Sequence, residues 1–197
     1  MEEHILSSVR GRRGHFRFES GHHGDLWFQL ETLCQRSRDL VPFAAQLASR
    51  LSQHRVEVIC GPLVEGAFIA LLVSLELGCD FVYAERFANA AGEGLYPVAY
   101  RLPAALQPVV RGKRVAIVND VISAGSAVMG TYSDLHAFGA NIVAIGALLA
   151  LGDTIGAFAD KHGVSLELLQ QMPHNLWIPS QCPLCAAGTP LEIVGTS

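Results

Sequence analysis

The sequence has no surplus of positive charge, no apolar stretch long enough to span a bilayer and no standard nucleotide-binding fingerprint. Net charge is −4 with eight histidines counted as neutral, so no global positive field draws nucleic acid or an anionic membrane to the chain. A phosphate ligand therefore needs a local backbone site. The longest apolar run, "IVAIGALLAL" at Ile142 to Leu151, is about half of what a membrane span requires. The opening "MEEHILSSVRGRRGHF" sets acids ahead of basics without a long apolar core, so it does not read as a secretory signal. Neither GxGxxG nor GxxxxGK[ST] occurs, which argues against a Rossmann dehydrogenase and a P-loop enzyme. Five cysteines at irregular spacings fit free thiols better than a disulfide framework. A soluble cytoplasmic protein is expected, with neither nucleic acid nor membrane as partner.

What is present is a regular alternation. The 197 residues, half of them apolar, suffice for one full core, so one domain over 1–197 is expected. Leu40 to Leu51 carries apolar residues at helical spacing, with Pro42 suited to a first turn. "VEVIC" (Val56 to Cys60) reads as a buried strand, followed by "GPLVEG" and an apolar helix ending at Gly78. "DFVYAE" and "KRVAIVND" are further strands; a helix follows over Ser126 to Phe138, then the buried strand "ANIVAIGALLAL". Strands alternating with helices at this spacing imply an α/β fold with a central, mostly parallel sheet flanked by helices. The segments 1–35 and 172–197 fall outside the alternation and are expected to form a small cap, or hood, over one end of the sheet. "AERFANAAGEGLYPVAYRL" (Ala84 to Leu102) reads as a lid loop leading into an outer strand.

The stretch "RVAIVNDVISAGSAVMGTYSDL" (Arg114 to Leu135) carries the chemistry. A buried strand ends in Asn119 and Asp120, at the sheet edge where open α/β proteins bind ligands. The small residues Ser123, Ala124, Gly125, Ser126 and Ala127 then open a helix, so several backbone N–H groups could approach one anion. Asn119 and Asp120 would lie in reach of sugar hydroxyls on that phosphate. An ordinary helix with Ser123 or Ser126 as N-cap explains the loop equally well.

These residues resemble the type I phosphoribosyltransferases, whose motif for phosphoribosyl pyrophosphate (PRPP) is an apolar strand, two acids and a small-residue loop. "VAIVNDVISAGSA" matches it over thirteen positions. The likeness extends, most closely to the orotate phosphoribosyltransferases, through "GHFRFESGHHGDLWF", "VICGPLVEGAFIA" and "GEG" at Gly92 to Gly94, in the expected order. Four motifs in order point to one fold.

The resemblance implies a PRPP-dependent transfer to a nucleobase that forms a nucleoside monophosphate and pyrophosphate, with Mg²⁺ expected. It assigns the 5′-phosphate to Ser123, Ala124, Gly125, Ser126 and Ala127, the ribose hydroxyls to Asp120, and the pyrophosphate to Pro62, Leu63, Val64, Glu65 and Gly66. It makes Asp120, Asn119 and Arg86 the catalytic candidates, and a homodimer the expected assembly.

Several positions depart from the pattern. Asn119 replaces the first acid of the motif, Glu65 stands in the pyrophosphate loop, and Glu19 precedes Ser20-Gly21 where many relatives have lysine. The lid segment "ERFANAAGEG" offers Arg86 as its cation, with Asn89 and Ala91 where charged groups are expected. Gly152-Asp153-Thr154 follows the last strand where an arginine for orotate is usual, so a neutral acceptor base is as plausible as orotate. Glu19, Asp25 or Asp153 could accept a hydrogen bond from an amino-bearing base, and Arg86 or Arg101 could be redirected to an anionic one. A PRPP- or nucleotide-binding regulator that lost catalysis is the rival reading.

His15, His22 and His23 are expected as turn histidines making ordinary hydrogen bonds. "CPLCAAG" (Cys182 to Gly188) resembles one zinc knuckle. It reads either as half of a zinc site at Cys182 and Cys185, completed by His174, His22, His23, Cys34 or another subunit, or as a buried turn with two inert thiols. Trp27 and Trp177 are expected to pack between the two cap segments.

Overall fold

The computed structural model describes residues 10–29, 34–88, 95 and 98–194. In chain order the elements are β1 (Arg10–Arg17), β2 (His23–Gln29), α1 (Ser37–Leu51), β3 (Val58–Pro62), α2 (Glu65–Leu77), β4 (Asp80–Ala88), β5 (Val98–Arg101), α3 (Gln107–Val110) and β6 (Arg114–Ile122). Then come α4 (Ser126–Ala137), β7 (Asn141–Leu151), α5 (Thr154–His162), β8 (Ser165–Met172), β9 (Leu176–Trp177), α6 (Pro183–Ala186) and β10 (Glu192–Ile193). No helix among the described residues is long and apolar enough to cross a membrane.

A six-stranded sheet in the order β5-β4-β3-β6-β7-β8 forms the body, and a four-stranded sheet β10-β1-β2-β9 forms the hood. The body is parallel except for β5, which runs antiparallel to β4. β6 is central and buried along nearly its whole length, because helices cover both faces, and a continuous apolar run suits that position. Its alternating side chains feed two cores: Ala116 and Val118 join α1 and α2 on one face, while Val115 and Ile117 join α4 and α5 on the other.

Some boundaries differ from the sequence expectation. The strand expected at Val56 to Cys60 begins two residues later and runs to Pro62. Helix α1 starts at Ser37, so Pro42 lies inside the helix beyond its first turn. The unit α5-β8 was not expected at all. Its side chains in β8 are mostly half-buried and mixed in polarity, as suits an edge strand, and this weakens the alternating apolar signal.

The connections explain where a crevice must open. From β3 the chain moves outward through β4 and β5; from β6 it moves the other way through β7 and β8. The order reverses between β3 and β6, the place where open α/β sheets bind ligands. β3 and β6 pair from Val58↔Val115 to Cys60↔Ile117, and beyond that pair both strands lead into loops at the same edge.

Candidate active site

The carboxyl ends of β3 and β6 open into a cavity of about 370 Å³. Pro62 to Gly66, Asn119, Asp120, Ser123 to Ala127 and Arg86, the residues singled out in the sequence, all line it. The segment Gly92–Gly94, with Asn89 and Ala91, lies outside the described residues.

The cradle follows β6 directly. Gly125 adopts φ +81°, a left-handed conformation open to glycine, and it is the residue that precedes the first turn of α4. The free N–H groups and partial positive charge of that turn face the cavity. No side chain caps α4, contrary to the ordinary N-cap reading, and the buried Ser123 hydroxyl has no hydrogen-bond partner. Asp120, 5% exposed, sits at the strand end beside this turn.

Asn119 does something different from its neighbour. Its side-chain Nδ2 donates to the carbonyl of Val121 at 2.9 Å, and its Oδ1 rests against Gly66, where an added Cβ would fall 2.0 Å away. The amide thus ties the end of β6 to the first turn of α2. A carboxylate could not make the same donation.

Glu19 is the site residue whose setting the sequence did not disclose. Its carboxylate pairs with Arg86 Nε at 2.6 Å and accepts from the Tyr100 hydroxyl at 3.0 Å and the Ser126 hydroxyl at 3.4 Å. Arg86 and Tyr100 are direct cross-strand partners in β4 and β5, so their side chains point to the same side of the sheet and converge on one acceptor. Burial, followed by the charge of Glu19, pushes the Tyr100 phenol above its ordinary range, so it remains a neutral donor. No local motif could have identified Tyr100, because only strand pairing brings it to the cavity.

Glu19 therefore offsets the charge of Arg86, the cation of the cavity wall. Glu19→Gln should tighten binding of PRPP about fivefold, because Arg86, released from the carboxylate, adds roughly 1 kcal/mol of attraction for an anion; titration calorimetry of the two proteins measures the change. The glutamine carbonyl still accepts from Tyr100 and Ser126, which keeps the loop in place.

The remaining candidates lie elsewhere. Asp25 accepts from Asn175 at 2.9 Å and Asp153 from Gln171 at 2.9 Å, and neither lines the cavity. Arg101 stacks over the Phe87 ring at 5.5 Å. Cys34 packs against the α1–α2 core, and burial, reinforced by Asp120 and Glu65, pushes its thiol up to about 11. His174 meets the Phe18 ring edge-on at 5.6 Å, and burial lowers its pKa. Trp27, expected to pack between the cap segments, lines the cavity, tilted against Phe18 at 6.0 Å.

The turn-histidine expectation is corrected for two of the three. His15 and His23 are 3% and 5% exposed and face Cys182 and Cys185, because a register shift between Arg13 and Phe16 in β1 turns His15 inward. His22 keeps a local contact with Ser20.

No family model matches the chain. It is 26% identical to the orotate phosphoribosyltransferase of Caldanaerobacter subterraneus subsp. tengcongensis over 184 residues, covering 93% of this chain and 90% of that one. With the orotate phosphoribosyltransferase of Thermotoga maritima the identity is 29% over 183 residues, again 93% and 90% of the two chains. Its fold superposes on an adenine phosphoribosyltransferase of Trypanosoma brucei, a complex with AMP, pyrophosphate and ribose-5-phosphate, with TM-score 0.66, 14% identity and coverage of 84% and 76%. Sheet order, hood and cradle give the chain the fold of the type I phosphoribosyltransferases, and the sequence relatives align along nine-tenths of it. The sequence resemblance within that group is to the orotate phosphoribosyltransferases.

Proposed function

We propose that the chain transfers the phosphoribosyl group of PRPP to a ring nitrogen of a nucleobase. The observation that carries this reading is the shared cavity at the β3–β6 reversal, where an uncapped helix N-terminus, Asp120 and the loop Pro62 to Gly66 face one another. The α4 amides hold the 5′-phosphate, Asp120 accepts from the ribose hydroxyls, and the loop holds the pyrophosphate. The base nitrogen forms a bond to the anomeric carbon as the bond to pyrophosphate oxygen breaks. The electron pair leaves with pyrophosphate, and the nitrogen's proton passes to solvent. Such a step develops positive charge on the ribose ring, so the Asp120 carboxylate also favours its transition state.

Mg²⁺ fits the oxygen donors of Asp120 and Glu65, both in the cavity wall, and when bound with PRPP it neutralises the leaving group. Among the described residues lining the cavity Arg86 is the one cation, and Glu19 neutralises it. That favours a neutral base, stacked against Phe18 and Trp27 and donating a hydrogen bond to Glu19, over an anionic ring. The test is pyrophosphate release from PRPP and Mg²⁺ across a panel of neutral and anionic bases. Turnover with a neutral base is expected; PRPP binding without turnover on any base would leave the regulator reading in its place.

A homodimer accompanies this reading. Val64, Phe68, Leu71 and Leu75 form an exposed apolar stripe at helical spacing along α2, and Val64 also lines the cavity. A second copy seated on the stripe would join two sites through one helix. Phe68→Glu with Leu75→Lys should convert the dimer to monomer, read by light scattering after size-exclusion chromatography; an unchanged mass would place any interface elsewhere.

A further inference from the structure

We propose that His15, His23, Cys182 and Cys185 form a Zn²⁺ site that pins the hood's N-terminal hairpin to the C-terminal knuckle. Their four candidate ligand atoms, one from each residue, all lie within 4.8 Å of one another. The separations are those of a coordination shell: His15 Nε2 to His23 Nδ1 is 3.2 Å, Cys182 Sγ to His15 Nε2 3.4 Å, Cys185 Sγ to His15 Nε2 3.6 Å and Cys185 Sγ to His23 Nδ1 3.2 Å. Zinc bonds of about 2.0 Å to nitrogen and about 2.3 Å to sulfur, at tetrahedral angles, give edges of about 3.3 Å between nitrogens and about 3.5 Å between nitrogen and sulfur. Four of the six edges are thus close to those of a tetrahedron around one ion, with the two-sulfur, two-nitrogen donor set that suits zinc.

The surroundings orient the ligands. His15 Nδ1 lies 2.8 Å from the Thr189 carbonyl. A carbonyl can only accept, so Nδ1 carries the proton and the Nε2 lone pair points into the cluster, the usual arrangement for a metal-bound imidazole. The Thr189 amide donates in turn to Leu184 inside the Cys-x-x-Cys turn, and the Gly188 amide to the Cys185 carbonyl, so the knuckle is built before any ion arrives. Both cysteines are free thiols.

Closing residues 15 and 185 through one ion cross-links segments that are remote in sequence, which restricts the unfolded chain strongly. The site also bears on the cavity. Phe18, Glu19 and Ser20 lie between the two histidines, and Val194 beyond the two cysteines; all four line the cavity wall. The ion would therefore hold both strands of the frame that carries them, whichever base is the acceptor.

The test starts with the unmodified protein purified without a metal-affinity tag. Mass spectrometry of elements should find one zinc per chain, and a mercurial that titrates the two thiols should release it in step. Replacing zinc by Co²⁺ should give the visible bands of a tetrahedral ion and near-ultraviolet thiolate charge transfer. Cys182→Ser with Cys185→Ser should abolish the bands, whereas Cys79→Ser, outside the cluster, should leave them. Chelation should lower Tm, and zinc should restore it. Protein without zinc that gives no cobalt bands, or a Cys182–Cys185 disulfide in its mass spectrum, would overturn the proposal.

Discussion

Asp120→Ala should lower kcat/KM for PRPP by about 10²- to 10⁴-fold. Asp120 is almost fully buried at the cavity wall, and hydrogen bonds from hydroxyls to a carboxylate contribute roughly 1.5–3 kcal/mol each. Loss of two such bonds, with the charge that favours the developing cation, sets the expected range. Titration calorimetry with PRPP, with and without Mg²⁺, separates binding from rate. Asp120→Asn should recover part of the binding and little of the rate, because its amide can still meet a hydroxyl but brings no charge. Equal affinity of wild type and Asp120→Ala would remove the ribose assignment.

Gly66→Ala should be the most damaging single methyl group in the site. Its Cβ would meet Asn119 Oδ1 at 2.0 Å, Asn119 Cγ at 3.1 Å and Pro62 Cγ at 3.2 Å. Asn119 cannot swing aside without giving up its buried donation to Val121. The alternative is for the first turn of α2 to move, taking the loop Pro62 to Gly66 with it. Overpacking of this kind costs about 1–3 kcal/mol of stability, and a displacement of about 1 Å at a binding loop can cost about 10²-fold in rate. The double variant Gly66→Ala, Asn119→Ala should be less impaired than the sum of the two single changes, since removing Oδ1 vacates the space. Strict additivity of the stability losses, measured by denaturant unfolding, would show that the two side chains do not compete.

The same contact revises what Asn119 means. Read along the chain, it is a motif acid that has lost its charge, and Asn119→Asp looks like a repair. In the fold its amide is engaged with a backbone carbonyl that an aspartate would repel. The local pattern identified the position; the partner across the turn governs its chemistry.

Much of this protein is legible in one dimension. The apolar run Val115 to Val118 reads as a central strand covered on both faces, and the small residues after Asp120 allow the close backbone approach that an anion needs. Those features are local, and periodicity and residue size determine them. Tertiary structure decided the rest, because long-range pairing leaves little trace in neighbouring residues. Register between β4 and β5 sets Arg86 beside Tyr100 and gives both to Glu19. A shift in β1 turns His15 from a surface strand into a cluster with residues far along the chain. A charge or an imidazole has its chemistry fixed by what surrounds it, and for these residues the surroundings come from elements remote in sequence.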